Sequence, residues 1–432
     1  MKTIANKKRY VINRKSILLY LEKHSAELFR FTRQLIAAPS PNPPGEEMAV
    51  ADLVLERMKD LGLADPVIEA KAPHRPNVIY HLAGQDDGPS VVLSGHLDTK
   101  PAGDRNRWVC DPYRGQVKDD RLYGLGSGDM KAAVAAMIYA AAALKSVDAS
   151  LAGHLWLAFT ADEEAGSEFG MDYLVEQGLL KADAALLGEP AGISREWEQL
   201  CLLSRGNCCF KIKVGGTQMH SSISDIQPSV NASVKMAGVM SRMAQELLPR
   251  IRHQAHRLCP QGPTLNVGVV VKGGVYYGVY PGSAEFSCDL RTLPGMTRRR
   301  VEQDINGWLA TLRREDPDLE VAMEFEKTPL DWIEPSEIDA GHPLVAAMQQ
   351  TAESVLGQQI PLGYMPGTTD APKLQFGLGI PTIPAFGPGL LPLAHGPNEY
   401  ISVKSPLQAA KIYALGVLAY LSDTDSNQGE LR

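Results

Sequence analysis

The chain has 432 residues, of which 44% are hydrophobic and 22% are charged, a balance typical of globular proteins. Its formal net charge of −7 argues against nucleic acid or an anionic membrane surface as a partner. Its six cysteines include no CxxC pair, so we expect free thiols in a cytoplasmic protein. The longest apolar run, residues 132–144, is too short to span a membrane.

Helix and strand patterns alternate through the first half of the chain. Apolar spacing predicts helices and short apolar runs predict strands, in this order: helices at 25–36 and 46–61, strands at 77–82 and 90–94, a helix at 132–144, a strand at 155–160, a helix from 171 and a strand at 184–187. Such alternation favours a mainly parallel sheet that is covered by helices.

The middle of the chain has a different order of elements. A strand at 210–214, a helix at 228–248, strands at 265–271 and 284–290, a helix at 299–314 and a strand at 320–326 give the order β-α-β-β-α-β. A helix at 343–356, a strand at 381–386 and a helix at 406–421 then restore the first pattern. We therefore predict an α/β domain formed by residues 1–206 and 328–432, with a smaller α+β domain, residues 207–327, inserted into it.

Histidine and carboxylate side chains follow several of the predicted strands. Residues of this kind at strand ends or at a helix start are His96, Asp129, Glu164, Glu189 and His395. Each alone has an ordinary interpretation, such as a helix cap for Asp129 or a solvated loop for Glu164. Because the carboxyl ends of parallel strands meet at one edge of a sheet, a shared site explains all five better. Two imidazoles and three carboxylates suit zinc.

Other chemistries are excluded by missing motifs. The glycine-rich segment 124–129 lacks the last glycine of GxGxxG and contains no GK[ST], so it predicts neither a dinucleotide site nor a phosphate-binding loop. The chain also contains no GxSxG nucleophile elbow.

Five short motifs occur in a fixed order: SGHLDT, GSGDMK, TADEEAGS, GEP and LAHGPNEY. Together with an early NPPGE segment and an inserted domain, they resemble the zinc-dependent family of acetylornithine deacetylase, succinyl-diaminopimelate desuccinylase, aminoacylases and glutamate carboxypeptidases. The resemblance extends from Arg33 to Leu418. It implies a catalytic dinuclear metal domain and an inserted lid domain that forms a homodimer.

The resemblance also implies a role for each residue of the metal site. His96 and Glu189 would bind one Zn²⁺, Glu164 and His395 a second one, and Asp129 would bridge both; Co²⁺ or Mn²⁺ could replace zinc. The Asp98 side chain would hydrogen-bond the far ring nitrogen of His96 and fix its tautomer. Glu163 would be the general base that activates the shared water.

Five further positions are implied to contact the substrate. His220 would stabilise the oxyanion, often across a dimer, although a surface histidine is the alternative. Arg291 in DLRTLPG would grip the substrate carboxylate, with a structural ion pair as its alternative. Asn266 would lie near the substrate, and the Gly367-Thr368 pair of the GTTDA loop would close on the substrate carboxylate. The chain departs from the family at Gly278, where the lid pattern GGxxxNVVP has asparagine.

The resemblance implies a dinuclear zinc hydrolase. Glutamate at position 189 goes with deacylases and carboxypeptidases, so the expected substrate is an N-acyl amino acid or a C-terminal peptide bond. The alternatives are a dipeptidase of the same family and, in another class, a non-catalytic peptide-binding protein. The second alternative would not need Glu163.

Overall fold

The computed structural model describes residues 14–84, 88–146 and 151–422. It divides into two compact units. The first comprises the described residues up to Leu203, Glu337–Met365 and those from Thr369 onward, and the second comprises Ser204–Ser336 and Pro366–Thr368. The range 207–327 lies inside the second unit. The catalytic and lid roles of the two units remain predictions.

Most of the α-helices lie in the first unit. Their bounds are α1 (Ser25–Ala37), α2 (Met48–Asp60), α3 (Ala132–Ser146), α4 (Met171–Glu176), α5 (Ala232–Glu246), α6 (Arg298–Glu315), α7 (Pro343–Leu356), α8 (Ala371–Leu378) and α9 (Ser405–Leu421). Residues 14–23 are also helical. Single turns occur at Arg105–Arg107, Ser127–Lys131, Glu163–Ala165, Ser221–Ile223, Leu248–Arg250 and Leu391–Leu393.

The strands form several sheets. Their bounds are β1 (Val67–Glu69), β2 (Asn77–Leu82), β3 (Ser90–His96), β4 (Gln116–Lys118), β5 (Arg121–Tyr123), β6 (His154–Thr160), β7 (Ala184–Leu187), β8 (Pro190–Gly192), β9 (Leu200–Ser204), β10 (Gly206–Gly215), β11 (Met219–His220), β12 (Thr264–Gly273), β13 (Val279–Tyr280), β14 (Ser283–Thr292), β15 (Val321–Phe325), β16 (Trp332–Ile333), β17 (Ser336–Glu337), β18 (Leu362–Met365), β19 (Thr382–Ile383), β20 (Gly387–Leu390) and β21 (Tyr400–Ser402).

The main sheet of the first unit has six strands in the order β1-β2-β6-β3-β7-β19. The pairs β1–β2 and β2–β6 are antiparallel, whereas β6–β3, β3–β7 and β7–β19 are parallel. The mainly parallel α/β class predicted from the sequence is therefore confirmed. Residues 91–96 of β3 are all buried, as expected for a central strand covered on both faces.

Two helices of the first unit are buried around most of their circumference. In α3 every residue from Ala132 to Leu144 is buried, and α9 is nearly as enclosed. The two helices pack against each other. A helix that is apolar on all sides must be buried, and the many alanines of α3 permit close approach. This packing fixes the start of α3, which lies three residues after Asp129.

The second unit contains an antiparallel sheet with the order β12-β14-β10-β15, and β16 also pairs with β10. Along the chain its elements follow the order β10-α5-β12-β14-α6-β15, which is the β-α-β-β-α-β order foreseen. The buried side of α6 carries Val301, Ile305 and Trp308. Strand β12 forms one edge of this sheet within the described part of the chain.

All six cysteines are free thiols. Among the residues that the structure describes, no helix combines the length and apolar character needed to cross a membrane.

Candidate metal centre

Sheet topology brings the five predicted ligands to one region of the first unit. His96 is the last residue of β3, Glu164 follows β6, and Glu189 follows β7. Because β3 pairs in parallel with both β6 and β7, these three residues lie at the same edge of the sheet. Asp129 lies in the turn Ser127–Lys131 before α3, and His395 follows the turn Leu391–Leu393.

The donor atoms form two groups that share Asp129. In the first group, His96 Nε2 lies 3.0 Å from Asp129 Oδ1 and 3.7 Å from Glu189 Oε1. In the second group, His395 Nε2 lies 3.1 Å from Asp129 Oδ2 and 3.0 Å from Glu164 Oε2. Asp129 thus offers one carboxylate oxygen to each group. The structure brings together all five residues that the sequence predicted as ligands.

The two groups differ in exposure. His96, Asp129, Glu164 and Glu189 are at most 6% exposed, whereas the side chain of His395 is 46% exposed. Burial and the neighbouring Asp129 carboxylate raise the pKa of Glu189 well above its usual value. Burial alone would lower the pKa of His395, but hydrogen bonds to Asp129 and Glu164 outweigh it and raise the pKa to about 10. Both shifts indicate a cluster that is short of positive charge.

The donor set fits metal cations of the zinc type. His96 Nδ1 lies 2.9 Å from the backbone oxygen of Asp98, so the hydrogen-bond network assigns the proton to Nδ1 and leaves a lone pair on Nε2. That lone pair faces the oxygens of Asp129 and Glu189, an arrangement that is repulsive unless a cation or a proton lies between them. Imidazole nitrogens and carboxylate oxygens at such sites suit zinc.

Asp98 contacts the far ring nitrogen of His96 through both its backbone oxygen and its carboxylate. Its backbone oxygen accepts the hydrogen bond from His96, while carboxylate Oδ1 lies 3.5 Å from the ring nitrogen. The carboxylate accepts hydrogen bonds from the backbone N–H groups of Glu163 and Glu164, at 3.2 and 3.1 Å, and from Asn42 Nδ2 at 2.8 Å. The Asp98 carboxylate thus lies beside the far ring nitrogen of His96, and it also accepts hydrogen bonds from the N–H groups of the next turn.

Glu163 lies beside the candidate ligand Glu164 in the turn Glu163–Ala165. Asp162, immediately before it, has a left-handed backbone with φ of 66°. Burial raises the pKa of Glu163 well above its usual value, and Asp370 and Glu164 add to the effect although His96 opposes it. A carboxylate of raised pKa is suited to taking up and releasing a proton near neutral pH.

A buried network behind this turn was missed by the sequence analysis. Arg75 donates to Glu47 at 2.8 Å and to Asp162 at 2.6 Å, and Asn42 donates one N–H to Asp162 at 2.9 Å and the other to Asp98. All of these side chains are at most 9% exposed. The NPPGE segment, noted only as part of a resemblance, begins with Asn42 and was the available signal.

Lys100 was also missed. Its Nζ lies 3.5 Å from Glu164 Oε2 and donates to the backbone oxygen of Glu164, and its side chain is about one-third exposed. It lies four residues after His96, so the SGHLDT motif could have indicated a position near the site. This ammonium group places a positive charge beside the second donor group.

The predicted substrate residues lie in the second unit. Arg291 contacts Asp289 Oδ2 at 2.9 Å and donates to Thr368 Oγ1 at 3.2 Å. Asn266 is exposed on β12 opposite Asp289 in the register of the sheet. His220 is exposed, and its Nδ1 is within 2.8 Å of Ser222 Oγ. Within this unit the structure brings Arg291 and Thr368 together.

A family model and two relatives each match most of the chain. The model of "Peptidase family M20/M25/M40" matches residues 92–419. Acetylornithine deacetylase of Vibrio campbellii is 31% identical over 372 residues, which cover 85% of this chain and 90% of that protein. Acetylornithine deacetylase of Klebsiella pneumoniae is 31% identical over 384 residues, which cover 86% of this chain and 92% of that protein.

Solved structures show the same fold at lower sequence identity. A family M20 metallo-carboxypeptidase from Sulfolobus solfataricus has a TM-score of 0.73 and 20% identity, covering 91% of this chain and 99% of its own. The di-peptidase Dug1p from Saccharomyces cerevisiae has a TM-score of 0.75 and 15% identity, covering 95% and 99%. Together with the sequence matches, these findings identify the chain as a member of peptidase family M20/M25/M40 and as a metal-dependent amide hydrolase.

Proposed function

We propose that the protein is a dinuclear zinc hydrolase that cleaves the amide bond of an N-acyl amino acid or a C-terminal peptide bond. The observation that carries this proposal is the pair of donor groups that share Asp129. The curated relatives named above are acetylornithine deacetylases, which favours the N-acyl amino acid as substrate.

Each metal would be held by one histidine, one glutamate and one oxygen of Asp129. His96 and Glu189 would hold the first ion and His395 and Glu164 the second, in agreement with the two donor groups. Two such cations lower the pKa of a water between them and polarise the scissile carbonyl. Co²⁺ and Mn²⁺ are accepted by the same donor types and are expected to substitute.

Glu163 is proposed as the general base. It follows the same strand as the ligand Glu164, and its raised pKa suits a group that first takes a proton and then delivers it to the leaving amine. Asp98 is proposed to orient the site through its backbone oxygen, which holds His96, and through its carboxylate, which holds the turn of Glu163.

Residues of the second unit are proposed to bind the substrate. The guanidinium of Arg291 would pair with the substrate carboxylate, helped by the hydroxyl of Thr368, which already contacts it, and by Gly367. His220 would donate a hydrogen bond to the developing oxyanion. Asn266, on β12, is proposed to contact the substrate as well.

We also propose a homodimer formed through the second unit, in the cytoplasm. The edge strand β12 and the loop after it expose several apolar side chains: Val269, Val270, Val271, Val275, Tyr276 and Tyr277. An edge strand with exposed valines can pair with a second copy of itself. The six free thiols agree with a reducing compartment.

The test is hydrolysis of N-acetyl, N-succinyl and N-formyl amino acids and of dipeptides by protein loaded with Zn²⁺ or Co²⁺. We expect one N-acyl class to be cleaved, with two metal ions per chain and loss of activity when a chelator removes them. Cleavage of dipeptides alone would favour the dipeptidase alternative. Absence of bound metal, or full activity in the presence of the chelator, would contradict the proposal, and binding without turnover would favour the peptide-binding alternative.

A further inference from the structure

We infer that Glu399 is a positioning residue that holds the turn carrying Asp129 and thereby sets the affinity of both metal sites. This inference rests on the proposed dinuclear centre. Glu399 lies four residues after His395, in the motif LAHGPNEY, and it was assigned no role by the sequence analysis.

The carboxylate of Glu399 accepts hydrogen bonds from three backbone N–H groups of the Asp129 turn. Its Oε2 accepts from Gly126 N at 2.9 Å, and its Oε1 accepts from Gly128 N at 2.7 Å and from Asp129 N at 3.1 Å. The side chain is buried, with 2% of the residue exposed. Both carboxylate oxygens are therefore engaged, and one of the bonds goes to the bridging ligand itself.

The turn needs such support because its backbone is irregular. Gly126 has a left-handed φ of 74°, and Asp129 has φ −120° and ψ 84°, which are outside the helical region although α3 begins three residues later. Several N–H groups are thus turned toward one point instead of toward helix carbonyls. A carboxylate placed at that point satisfies them, in the manner of an anion held by a backbone nest.

Because Asp129 belongs to both donor groups, Glu399 is expected to affect the binding of both metal ions. Asp129 gives Oδ1 to the group of His96 and Oδ2 to the group of His395. A displacement of its backbone moves both oxygens at once. A residue that acted only on one group would change one affinity and leave the other unaltered.

The most informative variant is Glu399→Gln, because glutamine keeps the size and shape of the glutamate side chain. A glutamine side chain has a single acceptor oxygen, so its NH₂ group must face either Gly126 N–H or the N–H groups of Gly128 and Asp129. The NH₂ group of the glutamine then faces a backbone N–H group, and the repulsion between the two donors shifts the turn. Loss of a hydrogen-bond partner behind a metal ligand weakens metal binding by about 10–100-fold.

The matched control is Glu196→Gln. Glu196 is also partly buried in the first unit, and its two oxygens accept from Ser402 N at 3.1 Å and Ser405 Oγ at 2.6 Å. The turn's N–H groups of Gly126, Gly128 and Asp129 are bonded to Glu399 instead. This substitution therefore removes a comparable carboxylate without touching the Asp129 turn.

The experiment is titration of metal-free full-length protein with Co²⁺, followed by calorimetry and by the visible absorption of the bound ion. We expect Glu399→Gln to weaken both binding steps by about 10–100-fold and to alter the absorption spectrum, while Glu196→Gln matches the wild type. Thermal unfolding of the metal-free forms shows whether each variant is folded.

Three outcomes separate the inference from the proposed function. If wild type takes up no metal, the proposed centre fails. If wild type binds two ions and a folded Glu399→Gln binds them with unchanged affinities, or with only one affinity changed, the inference is overturned. If Glu399→Gln does not fold, the titration is made with Glu399→Asp, whose carboxylate is retracted by one methylene; weakening of both steps supports the inference, and unchanged affinities overturn it.

Discussion

Glu163 and Glu164 are neighbours in the chain but occupy different surroundings. Glu164 is buried with an oxygen 3.0 Å from His395, whereas Glu163 is more exposed and lies outside both donor groups. The N–H groups of both residues are bonded to Asp98, so the two side chains leave the turn in fixed and different directions. This division allows one glutamate to serve as a ligand while the other handles a proton.

Glu163→Ala is expected to lower kcat by about 10²–10⁴-fold, because only the proton transfer is lost. The metal content should stay at the wild-type value, since Glu163 is not in either donor group. Kinetics and atomic absorption on the same preparation measure both quantities. Glu168→Ala is the control, because Glu168 follows the same turn but pairs with Lys71 at 3.4 Å. A wild-type kcat in Glu163→Ala would remove the residue from its assigned role.

Arg291→Ala is expected to lower kcat/KM for substrates with a free carboxylate by an amount equivalent to about 1.5–3 kcal/mol, the range for hydrogen bonds to charged groups. Substrates whose carboxylate is converted to an amide should be affected much less. Arg298→Ala is the control, because Arg298 is also in the second unit and pairs with Asp331 at 2.7 Å. Equal losses for the acid and the amide substrate would argue for a structural ion pair with Asp289.

At this scale the grouping of the five candidate ligands could be predicted, but the residues that support them could not. The five ligands follow strands or precede a helix, and such positions can be recognised from periodicity and a motif. Asn42, Arg75 and Glu399 reach the site from distant segments, and their roles depend on hydrogen bonds across the fold. Asp98 shows the same limit, since only its carboxylate was expected beside His96, whereas its backbone oxygen makes the shorter contact, at 2.9 Å against 3.5 Å.

At the scale of elements, the turn after β6 is held by charged groups that are removed from water. Arg75 is 9% exposed and bridges the carboxylates of Glu47 and Asp162. It also packs over the ring of Phe169, at 4.9 Å from the ring centroid. The left-handed backbone of Asp162 is therefore fixed by contacts on its side chain.

Arg75→Met is expected to destabilise the metal-free protein by about 3–5 kcal/mol, because it leaves two buried carboxylates without their cation. Chemical denaturation measures this loss. Arg105→Met provides the comparison: Arg105 pairs with Asp111 at 3.1 Å, but both side chains are largely exposed, so a change of at most about 1 kcal/mol is expected. Similar losses in the two variants would show that burial of the Arg75 network contributes nothing.

The long elements could be read from the sequence, whereas their ends and the shortest strands could not. The helix expected at 228–248 begins at Ala232, because Asn231 accepts a hydrogen bond from Val234 N and caps it. Strand β3 continues beyond residue 94 to His96, so the first ligand belongs to the strand itself. Strands β4, β5 and β8 have three residues each, which is too short for a periodicity.

At the scale of the whole molecule, the exposed edge of β12 leads to a prediction about assembly. Val270→Lys places a charge on that edge and is expected to convert the proposed dimer to a monomer, as measured by sedimentation. Val117→Lys is the control, because Val117 is similarly exposed, at 45%, but lies on β4 of the first unit. A monomeric wild type, or an unchanged sedimentation coefficient in Val270→Lys, would contradict assembly through this edge.

The arrangement of ligands along the chain has a consequence for biosynthesis. His96, Asp129 and Glu189 are all translated before the inserted unit, while His395 follows it. A growing polypeptide on the ribosome therefore possesses every donor of the first group long before it possesses the second. The second donor group, and the Glu399 carboxylate that holds the Asp129 turn of the first, are complete only when nearly the whole polypeptide has emerged.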